Sequence, residues 1–374
     1  MKIIEDSNVE LLKNDKDKNF KRNYGIDLLK ILAMINIINL HINKFSINLR
    51  LNPDNPKYKN VYRLQILSFW PVDTFGIISG LVSFKKYKFS NVIYIWFEYF
   101  FYSIFFAIYQ YMKSLKNIRF VILSFFPIGI NRFWYANTFI FLYLFLPFIN
   151  NYIISANKNY FSKLIGVYFF FYSFYHKLMQ YNIGKTDFDY INEGYSTIWL
   201  MVLYILGGYL GRFFLNNKYL SNHVYFMIYI FSSFLTSEYT FYTYKKNKFA
   251  NKILISYNSP TILIQSLSLI FLFYNLEIKN KYIQKMILFF IPLNFNVALI
   301  HLIVFQFKTR FIFNFFDYIN QLKKNFLFFK IYGISIIIYI ICAIFDYFRF
   351  ILFKSINIKK FCIFIEEKYL NNSR

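Results

Sequence analysis

Apolar stretches recur along the chain, and short polar connections separate them. A transmembrane helix needs about 20 mostly apolar residues, because each residue rises about 1.5 Å through a hydrocarbon core of about 30 Å. The pattern predicts about ten transmembrane helices. Their expected ranges are 25–43, 66–84, 92–112, 133–149, 161–176, 196–214, 224–235, 259–274, 286–307 and 331–353. The predicted fold class is therefore all-α, a polytopic membrane helical bundle.

One apolar stretch, residues 120–130, is too short to cross a bilayer. Pro127 and Gly129 interrupt it, so we interpret it as a re-entrant or interfacial segment. Neither an internal repeat nor a long linker divides the chain. We therefore expect one ten-helix membrane domain over residues 25–353.

The predicted domain lies between a polar N-terminal tail, residues 1–24, and a basic C-terminal tail, residues 354–374. The start lacks the short apolar core and small-residue cleavage site of a signal peptide, so the first helix is expected to act as an uncleaved signal-anchor. Six basic residues precede that helix, and the most acidic connection, with Asp187, Asp189 and Glu193, then falls on the opposite side. Both termini are predicted to be cytosolic.

Composition supports a membrane protein and narrows its partners. Hydrophobic residues make up 57% of the chain and charged residues only 16%, whereas soluble domains carry about 25% charged residues. The net charge of +25 comes from basic residues scattered through the connections, so we expect contact with anionic headgroups of the lipid bilayer and no nucleic-acid binding. Two cysteines and four histidines show no metal-ligand spacing, which predicts no metal site.

The first predicted helix carries three ionisable residues on one face. Lys30 and His41 are eleven positions apart, which places them about 20° from each other around a helix, and Asp27 lies within about 40° of His41. Ionisable residues in a span usually face a bundle interior or a wet cavity. A histidine there can transfer protons, and Lys30 would attract an anion such as a phosphate. Alternatively, Asp27 and Lys30 only pair with each other, and His41 only hydrogen-bonds a neighbouring helix.

The second predicted helix contains a single acid, Asp73, in the apolar run VDTFGIISG. A buried carboxylate needs a partner, and Lys30 or His41 would suit. Gly76 and Gly80 of the same run form a small-residue pair that favours close contact with another helix.

Four further residues admit two interpretations each. Glu98 could carry protons or could pair with a lysine of residues 85–88, and we prefer the pairing. Trp134 and Tyr143 are typical of an interfacial aromatic belt. His301, taken alone, is typical of a histidine that hydrogen-bonds between helices.

Several segments together resemble the membrane acyltransferase 3 family, integral-membrane O-acyltransferases that modify cell-surface glycans and lipids. RNYGIDLLKILAMINIINLH resembles its first-helix signature, in which histidine follows a basic residue after eleven positions. Later helices are resembled, in the expected order, by PVDTFGIISGLVSFKKYK, FWYANTFIFLYLFLPFIN, TIWLMVLYILGGYLGRF, YNSPTILIQSLSLIFLF and NFNVALIHLIVFQ. The resemblance covers residues 22–353.

This resemblance implies ten membrane helices and transfer of an acyl group, usually acetyl from acetyl-CoA, to a hydroxyl of a cell-surface carbohydrate or lipid-linked glycan. Acyl-CoA would be a co-substrate, with no bound cofactor. His41 matches the essential histidine of the family and Lys30 its basic partner, which is usually arginine. Lysine keeps the charge but lacks the planar fork that holds a phosphate at two points.

Roles for the remaining candidates follow from the same hypothesis. Asp73 would complete the catalytic set by orienting His41 or Lys30. The expected substrate-binding residues are Asp27, Ser79, Trp134, Tyr143 and His301.

Two other function classes fit the same residues. A proton-coupled transporter or flippase could use Asp27, Lys30, His41 and Asp73 as a proton relay. The chain lacks the repeated halves and paired broken helices typical of such transporters. A family member without catalysis is the other alternative, because Lys30 departs from the usual arginine.

Overall fold

A computed structural model of the chain describes residues 22–43, 56–85, 87–112, 118–129, 133–183, 191–214, 220–247, 253–306 and 326–371. Within these ranges the chain is helical and contains no strand, so the all-helical class is confirmed. Most of the predicted N-terminal tail lies outside the described residues, as do Asp187 and Asp189.

The described helices follow one another with short connections. They are α1 Tyr24–Ile42, α2 Pro56–Leu67, α3 Pro71–Ser83, α4 Phe89–Gln110, α5 Ile118–Leu123, α6 Trp134–Ser155, α7 Lys158–Phe169, α8 His176–Ile183, α9 Thr197–Phe213, α10 Asn222–Asn247, α11 Pro260–Tyr274, α12 Lys281–Phe290, α13 Asn294–Gln306, α14 Leu327–Ser355 and α15 Ile358–Glu366. A π-helix, Phe170–Tyr175, joins α7 to α8, and a 3₁₀ turn, Ile291–Leu293, joins α12 to α13.

Six described stretches are long and apolar enough to cross a membrane, which gives the chain the character of a multi-pass membrane protein. They are Tyr24–Ile42, Lys59–Ser83, Phe89–Tyr109, Trp134–Ser155, Lys281–Leu302 and Leu327–Ser355. The helices α9 and α11 are apolar but shorter. A helix stands at each of the ten predicted positions, but the count of ten membrane spans is not confirmed.

Polar residues explain part of that difference. The helix α10 is 26 residues long, far longer than the predicted range 224–235, and carries Ser232, Ser233 and Glu238. Length alone would let it cross, but its composition is too polar for the apolar criterion that the other six satisfy.

The helix α1 lies at the centre of the bundle and contacts α3, α11, α12, α13 and α14. Asn23 caps it by accepting a hydrogen bond from the amide of Ile26 at 3.0 Å, and its own amide donates to the carbonyl of Tyr274 at 2.9 Å. Further along, the amide of Asn39 donates to the hydroxyl of Ser68 at 2.7 Å. Because helices surround α1, its polar side chains meet different neighbours on different faces.

Glycines bring α3 and α9 together. Gly80 packs against the backbone carbonyl of Tyr204, and Gly207 packs against that of Ile77. A side chain at either glycine would overlap backbone atoms, which cannot move aside as a flexible side chain can. The small-residue packing predicted for these helices is therefore confirmed.

The short helix α5 and the turns after it pack against α4 and the start of α6. The hydroxyl of Tyr99 donates to the carbonyl of Pro127 at 2.9 Å, and the amide of Asn137 donates to the carbonyl of Ile128 at 3.1 Å. These bonds satisfy backbone carbonyls in a segment that forms no long helix, as backbone polar groups away from water require. They also hold the N-terminus of α6 beside α4.

The predicted basic tail contains a helix that packs on α4. A turn at Asn357, where φ is 56°, separates α15 from α14. The carboxylate of Glu366, the last residue of α15, accepts hydrogen bonds from the amides of Phe89 at 2.7 Å and Ser90 at 3.2 Å. A negative charge at a helix N-terminus is favourable, so Glu366 stabilises the start of α4.

Candidate functional site

A cavity of about 350 Å³ lies between α1, α3, α4, α6 and α13. Ligand pockets in proteins span about 300–1,000 Å³, so its size suits a small group or one end of a larger molecule. Its walls are mostly apolar and aromatic. The polar and ionisable residues in its lining are Lys30, His41, Ser79, Glu98, Trp134, Tyr135, Tyr143, Tyr257, Asn294 and His301.

The cavity follows the stripe predicted on α1. Lys30 and His41 both line it, and eleven residues of helix separate them by about 16 Å. The prediction that the two side chains share one face is therefore confirmed. A group bound near Lys30 and another bound near His41 would lie in one continuous space.

His41 contacts a second histidine, His301 of α13. Nδ1 of His41 lies 2.8 Å from Nε2 of His301, and the ring centroids are 5.0 Å apart with the planes inclined by 20°. Nδ1 of His301 lies 2.7 Å from the carbonyl oxygen of Val297, and the ring of Phe305 packs edge-on at 6.1 Å. His301 is buried, whereas His41 is partly exposed. His301 does hydrogen-bond between helices, and its partner is the candidate catalytic residue.

Lys30 is paired but remains accessible. Its ammonium lies 3.2 Å from Oδ1 of Asp27, whose Oδ2 lies 2.6 Å from Nε of Arg22. The Lys30 side chain keeps 24% of its surface exposed, and Asn294 donates to its backbone carbonyl at 3.1 Å. The Asp27–Lys30 pair that we considered as an alternative is present, and it leaves Lys30 in the cavity lining. Asp27 contacts Lys30 without being part of that lining.

Asp73 lies behind the cavity wall, and the structure does not bring it to Lys30 or His41. Its Oδ1 accepts a hydrogen bond from Nε1 of Trp199 at 3.0 Å, and its Oδ2 is buried without a hydrogen-bond partner among the described residues. Asp73 and Gly80 are two helical turns apart, so they share the face of α3 that packs on α9. The expected orienting contact is therefore replaced by a contact with α9.

Aromatic side chains form one wall. Trp134 stacks on Tyr257 with centroids 6.0 Å apart, and Tyr195 packs against Trp134 at 4.6 Å. Burial raises the pKa of the Tyr257 hydroxyl, and nearby Tyr195 and Asp73 raise it further, so the hydroxyl stays protonated near neutral pH. The cavity-lining aromatic residues are Phe75, Trp134, Tyr135, Phe139, Tyr143, Tyr257 and Phe295.

This wall places Trp134 and Tyr143 where the substrate-binding hypothesis needs them. The sequence reasoning did not single out Tyr135 or Tyr257, because neither stands out in so aromatic a chain. Ser79 also lines the cavity, and its hydroxyl donates to the carbonyl of Phe75 at 2.7 Å.

Glu98 lines the cavity and is paired with an arginine, so the preferred pairing with residues 85–88 is wrong. Its Oε1 lies 2.7 Å from Nη1 of Arg349 and accepts from the amide of Asn296 at 2.9 Å. Arg349 also contacts Asp346 at 2.8 Å, and Tyr102 donates to Asp346 at 2.6 Å. The signal that could have found this cluster is the acid and the arginine three positions apart inside the last apolar stretch.

Within the described ranges, no group of three histidines, cysteines or acids is placed to hold a metal ion. No protein-family model, curated protein or solved structure matches the chain. The candidate site is therefore defined by its geometry: a histidine pair at one end of a cavity, a lysine about three turns of helix away, and an aromatic wall between them.

Proposed function

We propose that the chain is a membrane-embedded acyltransferase similar to the membrane acyltransferase 3 family, which moves an acyl group from acyl-CoA to a hydroxyl. One observation carries the proposal: Lys30 and His41, the two residues on which the resemblance rests, line the same cavity. A proton acceptor and a cation in one mostly apolar space are the groups that transfer from an anionic donor requires.

The donor end is assigned to Lys30. Arg22 and Lys30 flank the single carboxylate of Asp27, which leaves a net positive charge there. Such a charge attracts the phosphates of acyl-CoA. The whole donor is too large for about 350 Å³, so its thioester end enters the cavity and its nucleotide end stays near Lys30. Acetyl-CoA is the simplest donor. Both termini are assigned to the cytosol, where acyl-CoA is available.

The reaction is assigned to His41. An unprotonated ring nitrogen takes the proton of the acceptor hydroxyl while the hydroxyl oxygen attacks the thioester carbonyl carbon. The new carbon–oxygen bond forms, the carbon–sulfur bond breaks, and His41 returns the proton to the departing sulfur. General base catalysis of this kind contributes about 10²–10⁴-fold in rate.

The acceptor is assigned to the aromatic wall. Aromatic faces pack against the apolar faces of sugar rings, while Ser79 and Tyr135 offer hydroxyl groups for polar contacts. A carbohydrate or lipid-linked glycan at the membrane surface is therefore the proposed acceptor class. The bilayer itself surrounds the bundle.

Radiolabelled acetyl transfer from acetyl-CoA, in membranes that contain the protein, tests the proposal. Wild-type protein is expected to label a carbohydrate or lipid fraction, and His41→Ala to lower the rate by at least about 10²-fold. His223→Ala is the matched control, because His223 is exposed at the start of α10 and outside the cavity lining. It is expected to keep the wild-type rate.

Wild-type transfer by a folded His41→Ala protein would overturn the proposal. Absence of label in wild type together with proton-driven uptake of a solute would assign the cavity to transport. Absence of both activities in wild type, with transfer gained by Lys30→Arg, would identify a family member that has lost catalysis.

A further inference from the structure

The hydrogen bonds of the two histidines form a chain with one direction. The carbonyl oxygen of Val297 only accepts hydrogen bonds, so the contact of 2.7 Å requires a proton on Nδ1 of His301. The other ring nitrogen of His301 contacts His41 at 2.8 Å. The protonation of that second nitrogen depends on whether His301 is neutral.

The surroundings of His301 favour the neutral ring. The side chain is fully buried, and its described contacts are His41, the carbonyl of Val297 and the ring of Phe305. None of these contacts is a carboxylate, and a buried cation without a charged partner is costly. A neutral ring with its proton on Nδ1 has a lone pair on Nε2, which can only accept a hydrogen bond.

This acceptor sets the tautomer of His41. Nδ1 of His41 must carry the proton that Nε2 of His301 accepts, so the lone pair of neutral His41 lies on Nε2. The second partner of a histidine determines which ring nitrogen is free to act as a base.

We propose that His301 is a positioning residue, which holds His41 in the tautomer whose Nε2 is the general base. The role rests on the proposed acyltransferase function and deepens it, because His301 occupies the place of the carboxylate in a serine–histidine–aspartate triad. A neutral imidazole orients the base without adding a negative charge to a mostly apolar cavity. Val297, one helical turn before His301 on α13, orients the second ring in turn.

Two substitutions separate this role from simple packing. In His301→Gln the side-chain oxygen reaches the former position of Nε2, so an acceptor for His41 is kept. In His301→Asn the shorter amide lies near the former position of Nδ1, so the bond to Val297 is kept and the one to His41 is lost. Both variants retain a polar side chain of moderate size at this buried position.

Transfer kinetics with acetyl-CoA are the first readout. His301→Asn is expected to lower kcat by at least about 10²-fold with little change in KM, and His301→Gln to lose less than about tenfold. Equal kcat values for the two variants, or wild-type kcat in His301→Asn, would overturn the proposal.

The second readout is the nitrogen magnetic resonance of isotope-labelled histidine, measured on the whole protein in lipid at alkaline pH. The chain has four histidines, and the His41 signals are those lost in His41→Ala. We expect Nδ1 of His41 to be protonated in wild type and His301→Gln, and a mixture of tautomers in His301→Asn. A proton on Nε2 of His41 in wild type contradicts the assignment. Because this measurement needs no activity, the expected tautomer without any transfer would contradict the proposed function and leave the positioning role in place.

Discussion

The cation at the donor end of the cavity has only one carboxylate partner among the contacts described for it. Lys30 contacts Asp27 at 3.2 Å, and Asp27 is shared with Arg22 at 2.6 Å. An ammonium has three donors, so one carboxylate oxygen leaves Lys30 able to bind a further anion. Lysine binds phosphate as a point charge, whereas arginine binds it through a planar fork.

Replacing Lys30 should therefore change donor binding more than the chemical step. Lys30→Ala is expected to raise the KM for acetyl-CoA by about tenfold or more, because a hydrogen bond to a charged group contributes about 1.5–3 kcal/mol. Lys30→Arg should keep or lower KM. Steady-state transfer kinetics measure both, with Lys281→Ala at the exposed start of α12 as control. An unchanged KM in Lys30→Ala would place the donor elsewhere.

Asp73 should be structural, since its described hydrogen bond is to Trp199. In Asp73→Leu the buried indole N–H of Trp199 loses its acceptor, which lowers the free energy of unfolding by about 1–3 kcal/mol. Asp73→Asn keeps an acceptor oxygen and should retain both stability and transfer rate. Thermal unfolding in detergent and transfer kinetics test this pair. Loss of transfer in Asp73→Asn at unchanged Tm would restore a catalytic role to Asp73.

At the scale of the elements, the contact between α3 and α9 forms one side of the site. Gly80 and Gly207 let the two backbones touch, and the same face of α3 carries Asp73 toward Trp199. The opposite side of α3 is left to line the cavity with Val72, Phe75 and Ser79. The separation of α3 from α9 thus sets how far α3 protrudes into the cavity.

Gly80→Ala should push these helices apart. The added methyl group would overlap the carbonyl of Tyr204, and overpacking costs about 1–3 kcal/mol. Gly166→Ala on α7 is the matched control, because a methyl group there meets no atom within 4 Å. It should stabilise by about 0.5–1 kcal/mol through helix propensity. Thermal unfolding of both variants is the measurement, and equal Tm values would contradict the close packing.

At the scale of the whole molecule, a buried ion cluster ties the late helices to the cavity. Arg349 of α14 contacts Glu98 of α4 and its neighbour Asp346, and Asn296 of α13 completes the shell of Glu98. The side chain of Arg349 is only 1% exposed. Three helices far apart in the chain are held together at one point beside the site.

Removing Arg349 should be far more costly than removing an exposed arginine. Arg349→Met leaves two buried carboxylates without their cation, which costs about 3–5 kcal/mol. Arg63→Met breaks a pair with Glu238 whose side chains are 47% and 41% exposed, and exposed pairs contribute about 1 kcal/mol or less. Comparing the Tm of the two variants in detergent measures the difference. A similar loss in both would show that the cluster contributes little.

What the sequence by itself determined follows from geometry within one helix. The apolar pattern predicted helices where they are found, and the fixed period of 3.6 residues placed Lys30 and His41 on one face. The same arithmetic applied to Asp73 and Gly80 would also have directed Asp73 to α9. It did not yield a membrane-span count, because α10 is long enough but too polar.

Only the tertiary structure decided which side chains meet between helices. His41 and His301 are 260 positions apart, and the partner of Glu98 lies on the last long helix, Leu327–Ser355. Helices that are apolar on nearly every side give no local signal of how each is rotated or which neighbour it contacts. The bundle sets those rotations by packing all its helices at once, and it thereby joins two separate histidines into one hydrogen-bonded pair.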